Sequence, residues 1–235
     1  MVQARRRAYA GAMHVGIVTG ASRGLGLALT RSLAERGWRL VVDGRNAEAL
    51  ARVDLDGVTA IAGDVADPDH RAALVGAAGP RIDLVVNNAS VLGPSPQPHL
   101  ADYPLDELER VYRVNVLAPL ALVQLALPRL TPRAAILNLS SDAAVEAYEG
   151  WGGYGSSKAA LDQLTNVLAA ERRDLRVYAV DPGDMRTQLH QEAFPNEDIS
   201  DRPPPEDSVP GLMELIEGTL PSGRYRARDL AEVTA

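Results

Sequence analysis

The chain has 235 residues, of which 46% are hydrophobic, and a formal net charge of −7 at pH 7. An acidic chain of this kind argues against general binding to nucleic acids or anionic membranes, which attract positive charge. The absence of cysteine excludes disulfides, thiolate nucleophiles and cysteine-based zinc sites, and it is compatible with a reducing, cytoplasmic environment. We therefore expect a cytoplasmic protein that binds neither nucleic acid nor membrane.

The first residues carry the only basic cluster, at positions 5–7, ahead of the first apolar run. A signal peptide would continue with an unbroken apolar stretch, but Gly11 and Gly16 interrupt it. We interpret residues 1–13 as an N-terminal tail. Residues 14–235 contain no internal repeat and no interdomain linker, so they are predicted to form one domain.

Along that domain, short apolar runs alternate with stretches suited to helices. The runs predict strands at residues 15–19, 39–43, 58–62, 83–87, 135–139 and 177–181. The intervening stretches predict helices at residues 25–36, 68–77, 105–130 (bent at Pro119) and 157–172. Uninterrupted apolar strands alternating with helices are typical of a parallel sheet covered on both faces. The predicted fold is therefore α/β: a single, doubly wound, Rossmann-like domain with a mainly parallel sheet flanked by helices.

The C-terminal part is less regular. Residues 184–210 contain five prolines and many charges, and they read either as a surface loop or as a substrate lid. The lid is favoured because this segment leaves the carboxyl end of a strand, where ligands of such sheets bind. Residues 222–228 are expected to form a last strand, and residues 229–235 a tail.

A glycine-rich turn joins the first strand to the first helix, with the spacing G-x-x-x-G-x-G. Glycines let the backbone approach a pyrophosphate, and the helix N-terminus offers free N–H groups and the positive end of its dipole. This setting predicts a dinucleotide-binding turn. Its contacts with the cofactor are expected from Gly20, Ser22, Arg23, Gly24, Leu25 and Gly26.

Preceded by Thr19, this turn resembles that of the short-chain dehydrogenase/reductase family, compact single-domain type. Further motifs of the family follow in order, so that the resemblance runs from about residue 15 to residue 187. One position departs from the family pattern: Ser90 stands where the motif Asn-Asn-Ala continues with Gly. Beyond the turn, the resemblance implies cofactor contacts from Asp64, Val65, Asn87, Ala89, Tyr154, Lys158, Pro182, Gly183 and Thr187.

The family resemblance also implies a catalytic set of Asn115, Ser141, Tyr154 and Lys158. A phenol with a pKa near 10 is a poor base at neutral pH, but a neighbouring cation lowers that pKa. Lys158 lies four residues after Tyr154, one helical turn away on the same face. We expect Tyr154 to be the general acid/base, and Ser141, thirteen residues before it, to polarise the substrate oxygen. Asn115 is expected to hold a water that relays protons toward Lys158.

The cofactor is predicted to be NADP(H) rather than NAD(H). An acid near the end of the second strand would favour NAD, and Asp43 is one candidate. The family's NAD-users, however, carry that acid at the next position, which here is Gly44. Arg45 and Arg23 match basic positions of NADP-users and suit a 2′-phosphate. A direct pair between Asp43 and Arg45 stays open as an alternative.

The sequence thus predicts an NAD(P)-dependent oxidoreductase acting on a small carbonyl or alcohol substrate. A noncatalytic dinucleotide-binding sensor on the same fold is the alternative, but it would have lost part of the catalytic set. The aromatic residues Tyr148, Trp151 and Phe194 hint at a partly apolar substrate. The four widely separated histidines show no metal-ligand spacing and are expected at the surface or in loops, so no metal is predicted. The resemblance implies homodimers or homotetramers packed through the helices at 105–130 and 157–172.

Overall fold

The described part of the chain, residues 13–232 of the computed structural model, forms one seven-stranded sheet. Its strands are β1 (Val15–Val18), β2 (Arg39–Gly44), β3 (Val58–Ala62), β4 (Ile82–Asn87), β5 (Leu130–Leu139), β6 (Arg176–Asp181) and β7 (Gly223–Arg226). All neighbours are parallel, in the order β3-β2-β1-β4-β5-β6-β7. From β1 the chain adds β2 and β3 on one side and then returns to add β4 on the other side. This reversal of strand order between β1 and β4 creates the crevice where ligands bind in such sheets. The predicted fold class is confirmed.

Helices cover both faces of this sheet. They are α1 (Gly24–Glu35), α2 (Ala47–Ala51), α3 (Pro68–Ala78), α4 (Leu105–Tyr112), α5 (Ala118–Ala126), α6 (Gly152–Glu171), α7 (Gln188–Ala193), α8 (Val209–Glu217) and α9 (Ala227–Glu232). Successive strand residues point to opposite faces, so Val18 packs with α1 and α8, whereas Ile17 packs with α3 and α5. Two separate cores result, and both exclude water from the strands. This double burial explains the uninterrupted apolar runs.

The helix predicted at residues 105–130 is not continuous. Between α4 and α5 the chain makes a π-helical turn at Arg113–Leu117, and a short 3₁₀ turn at Leu127–Arg129 ends the segment. Pro119 has no N–H to donate to the carbonyl of Asn115, four residues earlier, so regular α-helical bonding cannot continue there. The irregularity predicted at the proline therefore lies in the turn before it. The π-helical turn contains Asn115, and turns of this kind are frequent at functional sites.

By length and composition alone, the stretch Leu105–Arg129 could also cross a membrane. Half of its most apolar 18-residue stretch is buried inside this fold, as in the core helix of a globular domain. Its apolar character is thus accounted for by the packing of α5 against the sheet, where Leu122 and Val123 join one of the two cores.

Several predicted boundaries are wrong. β5 begins at Leu130, five residues early, because it continues through an irregular pairing in which Arg133 has a positive φ of 64°. The irregular segment 184–210 contains α7 and a 3₁₀ turn at Pro205–Ser208, and α8 begins within it. The expected tail at 229–235 includes the end of α9, while residues 233–235 and 1–12 lie outside the described residues. That residues 184–210 act as a lid stays a prediction.

Candidate active site

A cavity of about 570 Å³ lies at the carboxyl ends of the strands, beside the reversal between β1 and β4. The glycine turn forms one wall, and the beginning of α6 and the loop after β6 form the other. Most of the predicted cofactor-binding positions meet here. Those lining the cavity are Gly20, Ser22, Arg23, Gly24, Leu25, Arg45, Asp64, Val65, Ala89, Tyr154, Lys158, Pro182 and Thr187.

Two glycines of the turn are required by close approach. Gly20 has a φ of +68°, and a Cβ on it would lie 2.9 Å from the Cα of Ala89. Gly26 does not line the cavity; a Cβ there would lie 2.4 Å from the Gly20 carbonyl oxygen. Gly26 therefore lets α1 pack tightly against the turn rather than contacting a ligand itself.

The first turn of α1 is prepared for an anion. Its N-cap residue, Arg23, makes no side-chain capping hydrogen bond, and no acidic residue stands in the first turn. The free N–H groups and the positive end of the helix dipole therefore face the cavity without an internal partner. These donors fit the pyrophosphate of a dinucleotide.

Asp43 supports the glycine turn from below. One carboxylate oxygen accepts the Gly20 N–H at 2.6 Å, and the other lies 3.1 Å from Nε2 of His70. Burial raises the pKa of this carboxyl group, while the bonds from Gly20 and His70 lower it. Asp43 lines the cavity, and one hydrogen bond on each oxygen holds its carboxylate toward Gly20 and His70. It also makes no pair with Arg45.

The expectation that all four histidines lie at the surface or in loops is wrong, because His70 and His190 lie in helices and are buried. The ring of His70 is buried against the Asp43 carboxylate. The ring of His190 is buried against that of Phe194. In the part of the chain that the structure describes, no cluster of three or more His, Asp or Glu side chains could hold a metal ion.

Two further predicted contacts do not line the cavity. Asn87 is buried and donates to Oδ1 of Asn138 at 2.7 Å, because it points into the sheet between β4 and β5. Its neighbour Asn88 lines the cavity instead and donates to the carbonyls of Thr19 and Gly20. Gly183 has a φ of +76° and shapes the loop after β6. Strand alternation could have distinguished Asn87 from Asn88, since adjacent residues face opposite ways.

Tyr154 and Lys158 lie on α6 and are both buried. The helix begins at Gly152, earlier than predicted, because Gly155 allows its first turn to approach the Ala143 carbonyl, which a Cβ would meet at 2.6 Å. The ammonium of Lys158 lies 5.4 Å from the centroid of the Tyr154 ring. It donates to the carbonyl of Leu139 at 2.7 Å. The two side chains thus share one wall of the cavity.

The electrostatics of this pair differ from the expectation. Burial lowers the pKa of the Lys158 ammonium to about 8, with Asp162 acting in the opposite direction. Burial also raises the pKa of the Tyr154 phenol, and the Ser90 hydroxyl lowers it. We expected Lys158 to lower the tyrosine pKa, but its ammonium lies over the ring and bonds to Leu139 rather than to the phenol oxygen.

Asn115 connects two walls of the site. Its Oδ1 accepts from the Val91 N–H at 2.9 Å and from the Ser90 hydroxyl at 3.1 Å. Its Nδ2 donates to the Val91 carbonyl at 2.9 Å and to the Ser157 hydroxyl at 3.0 Å. All four hydrogen-bonding positions of the side-chain amide are used. A water relay expected at Asn115 therefore does not use this side chain, which instead braces the loop after β4 against α6.

The two serines after β5 are placed differently. Ser140, for which no role was predicted, is buried and lines the cavity. The Ser141 hydroxyl donates to Oδ1 of Asp142 at 2.9 Å and accepts from the N–H of Ala143 at 3.2 Å. The carbonyl of Ser141 accepts from Arg224 at 2.9 Å, which ties this loop to β7. Ser141 thus caps the following 3₁₀ turn.

An aromatic cluster adjoins the phenol of Tyr154. Trp151 packs edge-on against Tyr154 at 5.7 Å between ring centroids, and Phe194 of the segment after α7 lies 5.8 Å from Trp151. The ring centroid of Tyr148 lies 6.3 Å from that of Trp151 and completes the cluster. The aromatic residues that the sequence places in two separate segments are therefore brought together beside the reactive group.

Further residues line the cavity without having been predicted. They come from loops and helix ends whose order in the sequence carries no motif: Asn46, Ala49, Gly63, Val91, Val114, Leu139, Met185, Gln188 and Leu189. Of these, Gln188 at the start of α7 accepts a hydrogen bond from Arg23 of the glycine turn. The segment after β6 is thereby attached to the cofactor side of the cavity.

Known proteins resemble this chain over most of its length. Residues 14–198 match the family model described as short chain dehydrogenase. A 3-oxoacyl-(acyl-carrier-protein) reductase of rhamnolipid biosynthesis from Pseudomonas aeruginosa is 33% identical over 228 residues, covering 90% of this chain and 83% of its own. An (S)-benzoin-forming benzil reductase from Bacillus subtilis is 30% identical over 239 residues, covering 90% and 97%.

Solved structures agree in fold. A short chain dehydrogenase from Pseudomonas syringae superposes with a TM-score of 0.84 at 29% identity, covering 91% of this chain and 94% of its own. One from Escherichia coli, in complex with NADPH, has a TM-score of 0.83 at 28% identity, covering 92% and 96%. The glycine turn has free N–H groups for a pyrophosphate, and Tyr154 and Lys158 share one wall of the cavity. Together with these features, the matches identify the chain as a member of the short-chain dehydrogenase/reductase family, an NAD(P)-dependent oxidoreductase.

Proposed function

We propose that this enzyme interconverts a small carbonyl compound and its alcohol with NADP(H), using Tyr154 as the general acid/base. The observation that carries the proposal is that Tyr154 and Lys158 are buried one helical turn apart on the wall of a cavity that the glycine turn also lines. A proton donor at that wall would meet the oxygen of a bound carbonyl group.

The chemistry divides among the residues as follows. When bound, the nicotinamide supplies or accepts the hydride. Tyr154 donates its phenolic proton to the substrate oxygen in reduction and takes it back in oxidation. Lys158, whose ammonium lies 5.4 Å from the centroid of the Tyr154 ring, holds the nicotinamide ribose. We assign the polarisation of the substrate oxygen to Ser141, whose hydroxyl becomes available by giving up its bond to Asp142.

Three observations favour NADP(H). Arg23 and Arg45 are exposed at the cavity, where a guanidinium can form paired bonds with a 2′-phosphate. Asp43 is held toward Gly20 and His70 by one hydrogen bond on each carboxylate oxygen, so it is less free to turn toward a ribose diol. Two structural neighbours were solved with NADP or NADPH, at 27% and 28% identity.

The aromatic cluster beside Tyr154 favours a substrate with an apolar, preferably aryl, substituent next to its carbonyl group. Leu92, Ala143 and Leu189 extend this apolar surface. The two relatives named above are reductases whose names specify different ketones, a 3-oxoacyl group and benzil. Reduction of a ketone is what they share, and it is the direction that we propose. A cytoplasmic location stays a prediction.

We also propose a homodimer or homotetramer that packs through α4, α5 and α6. Large apolar residues are exposed to solvent here, as in surfaces that self-associate: Leu105, Leu125 and Val167 on these helices, and Leu117 on the π-helical turn between α4 and α5. Light scattering is expected to give a dimer or tetramer mass, and Leu117→Glu with Leu125→Glu should lower it. Leu100→Glu, also exposed but outside these helices, is the control. A monomeric mass for the unaltered protein would contradict the proposal.

The test of the proposed activity is a panel of aryl ketones, aliphatic ketones, aldehydes and the matching alcohols, assayed with NADPH and with NADH. We expect aryl ketones to give the highest kcat/KM, and NADPH to exceed NADH by at least about tenfold, because a charged pair to the 2′-phosphate contributes on the order of 1.4 kcal/mol or more. A clear preference for NADH would contradict the cofactor assignment. Binding of NADPH without turnover of any compound would instead favour the noncatalytic sensor.

A further inference from the structure

Arg224 lies on β7, the strand at one edge of the sheet, and its side chain is largely covered by protein. In the register of the two strands it pairs with Ala179 of β6. Only 26% of its side-chain surface is exposed, although arginine side chains usually reach into water. A guanidinium enclosed in this way needs polar or charged partners, because it cannot lose its charge.

The guanidinium of Arg224 contacts three elements beside the active site. Its Nε donates to Oδ2 of Asp162 on α6 at 3.0 Å, and its Nη2 donates to the Ser141 carbonyl after β5 at 2.9 Å. The same Nη2 lies 3.8 Å from Oδ2 of Asp181 at the end of β6. One cation therefore joins α6 to the carboxyl ends of β5 and β6.

Asp162 depends on this cation. It is buried on α6, and Arg224 donates to one of its two oxygens. Among the described residues, the other oxygen, Oδ1, is buried without a hydrogen-bond partner. An uncompensated charge inside a protein is strongly unfavourable, so a buried carboxylate is stable only when it is paired. Loss of Arg224 would leave this carboxylate buried without its ion-pair partner.

Asp162 also belongs to the face of α6 that carries the proposed reactive groups. Tyr154, Lys158 and Asp162 follow one another at intervals of four residues, so they lie on one side of the helix. The carboxylate raises the pKa of the Lys158 ammonium, against the effect of burial. The pairing of Asp162 with Arg224 therefore bears on Lys158 as well.

We propose that Arg224 is a positioning residue of the active site, which holds the Ser141 loop by its carbonyl and pairs with Asp162 one helical turn beyond Lys158. Arg224 does not line the cavity, so it acts through these residues. Holding the backbone of Ser141 determines where its hydroxyl can meet a substrate oxygen. The effect on catalysis rests on the proposed function, whereas the effect on Lys158 does not.

The groups around Lys158 come from several elements. On α6 itself, the Tyr154 ring packs beside the ammonium and Asp162 follows one turn on. β5 offers an uncharged backbone carbonyl, and the π-helical turn before α5 an uncharged amide. Asp142 after β5 and Asp181 at the end of β6 act on the Tyr154 phenol, whose pKa they raise. We therefore expect Asp162 to be the carboxylate with the largest effect on Lys158.

The titration of Lys158 can be followed by itself, because it is the only lysine of the chain. Protein labelled with ¹³C at the lysine Cε gives one NMR signal, whose position reports the charge of the amine as the pH is raised. We expect a pKa of about 8 for this amine in the unaltered protein. Asp162→Asn should move the midpoint down by about one pH unit, and Arg224→Gln should move it up by about half a pH unit.

The opposite directions separate this role from a merely structural one. If either substitution simply loosened α6, water would reach the amine, and its pKa would rise in both variants toward the ordinary value of 10.5. A rise in Asp162→Asn, or no change in Arg224→Gln, would overturn the proposal. Arg226→Gln is the control and should leave the midpoint unchanged. Its guanidinium also lies 3.8 Å from Asp181, but its other ion-pair partner is Glu146.

A double-mutant cycle in urea tests the ion pair in a second way. Arg224→Gln is expected to lower the urea midpoint of the unaltered protein more than that of Asp162→Asn, because the second background has no carboxylate to leave unpaired. The lost contact with the Ser141 carbonyl is common to both backgrounds and cancels. Equal effects would contradict the pairing. Neither this measurement nor the titration needs turnover, so both decide the point even if the proposed activity fails.

Steady-state kinetics gives the functional readout. Arg224→Gln is expected to lower kcat about tenfold, because a displaced Ser141 hydroxyl no longer meets the substrate oxygen, with NADPH binding within about twofold. Arg224→Lys keeps the charge and one donor and should recover part of the loss. Arg226→Gln should stay within about twofold of the unaltered enzyme. An unchanged kcat in Arg224→Gln would contradict the positioning role.

Discussion

Tyr154→Phe is expected to lower kcat by about 10²- to 10⁴-fold while leaving NADPH binding nearly unchanged, because it removes the proton donor and nothing else. The ring itself is held by its packing against Trp151 at 5.7 Å, which phenylalanine preserves. Steady-state kinetics on the best ketone of the panel, together with the quenching or enhancement of NADPH fluorescence on binding, measures the two quantities separately.

Tyr148→Phe is the matched control for this substitution. Its hydroxyl also lies near the site and bonds to Asp142 at 3.1 Å and Glu146 at 2.8 Å, but it is exposed and does not line the cavity. We expect its kcat to change less than threefold or so, within the range of a lost surface contact. A Tyr154→Phe enzyme that kept more than a tenth or so of its kcat would be incompatible with the acid/base role.

Lys158→Met is expected to affect activity and stability in opposite directions. Lys158 is the only lysine of the chain, the other basic side chains being 23 arginines. Arginine cannot lose its proton, whereas burial lowers the pKa of the Lys158 ammonium from 10.5 to about 8. This lowering means that the charged form is destabilised in the folded protein, by up to about 3 kcal/mol. Removing the amine therefore removes a cost along with a catalytic group.

The net stability change follows from two terms. Methionine fills a similar volume without the charge, but the Leu139 carbonyl loses a donor at 2.7 Å, which costs about 1 kcal/mol. We expect Lys158→Met to raise the free energy of unfolding at pH 7 by about 2 kcal/mol. Urea denaturation measures this change, and kcat should fall at least about 10²-fold in the same variant.

The sign of the pH dependence is determined by the same shift. Between about pH 8 and 10.5 the unfolded chain keeps a proton that the folded protein has released, so the unaltered protein gains stability as the pH rises. The advantage of Lys158→Met is therefore complete below pH 8 and shrinks above it. Lys158→Arg retains a permanent charge and should show no such gain. A Lys158→Met protein less stable than the unaltered one at pH 7 would contradict this account of the buried amine.

Much of the fold could be predicted from local sequence, because a buried parallel strand must be apolar on both faces and each helix between strands must have an apolar side. The six predicted strands all exist, and a seventh lies within residues 222–228. The errors fall where local pattern and tertiary contact disagree. α6 begins at Gly152 because three glycines, poor helix formers, permit contacts with Tyr103 and Ala143 that no local rule foresees.

Electrostatics was the less predictable part of the site. The spacing of Tyr154 and Lys158 predicts proximity, and they are indeed close. It does not predict the depth of burial, which raises one pKa and lowers the other. Likewise, the position of Asp43 in the sequence makes it a candidate for ribose binding. The hydrogen bonds of its carboxylate oxygens with Gly20 and His70 form only in the folded chain.

The α/β class, the phosphate-binding turn and the one-turn spacing of Tyr154 and Lys158 could be inferred from the sequence, since each depends on residues near one another in the chain. Which residues share the cavity became known from the folded chain. Asn88 rather than Asn87 faces it, Asn115 serves as a brace, and Ser90 lines it together with Tyr154. These outcomes depend on distances between segments far apart in sequence, and such distances are set by how the two cores pack against the sheet.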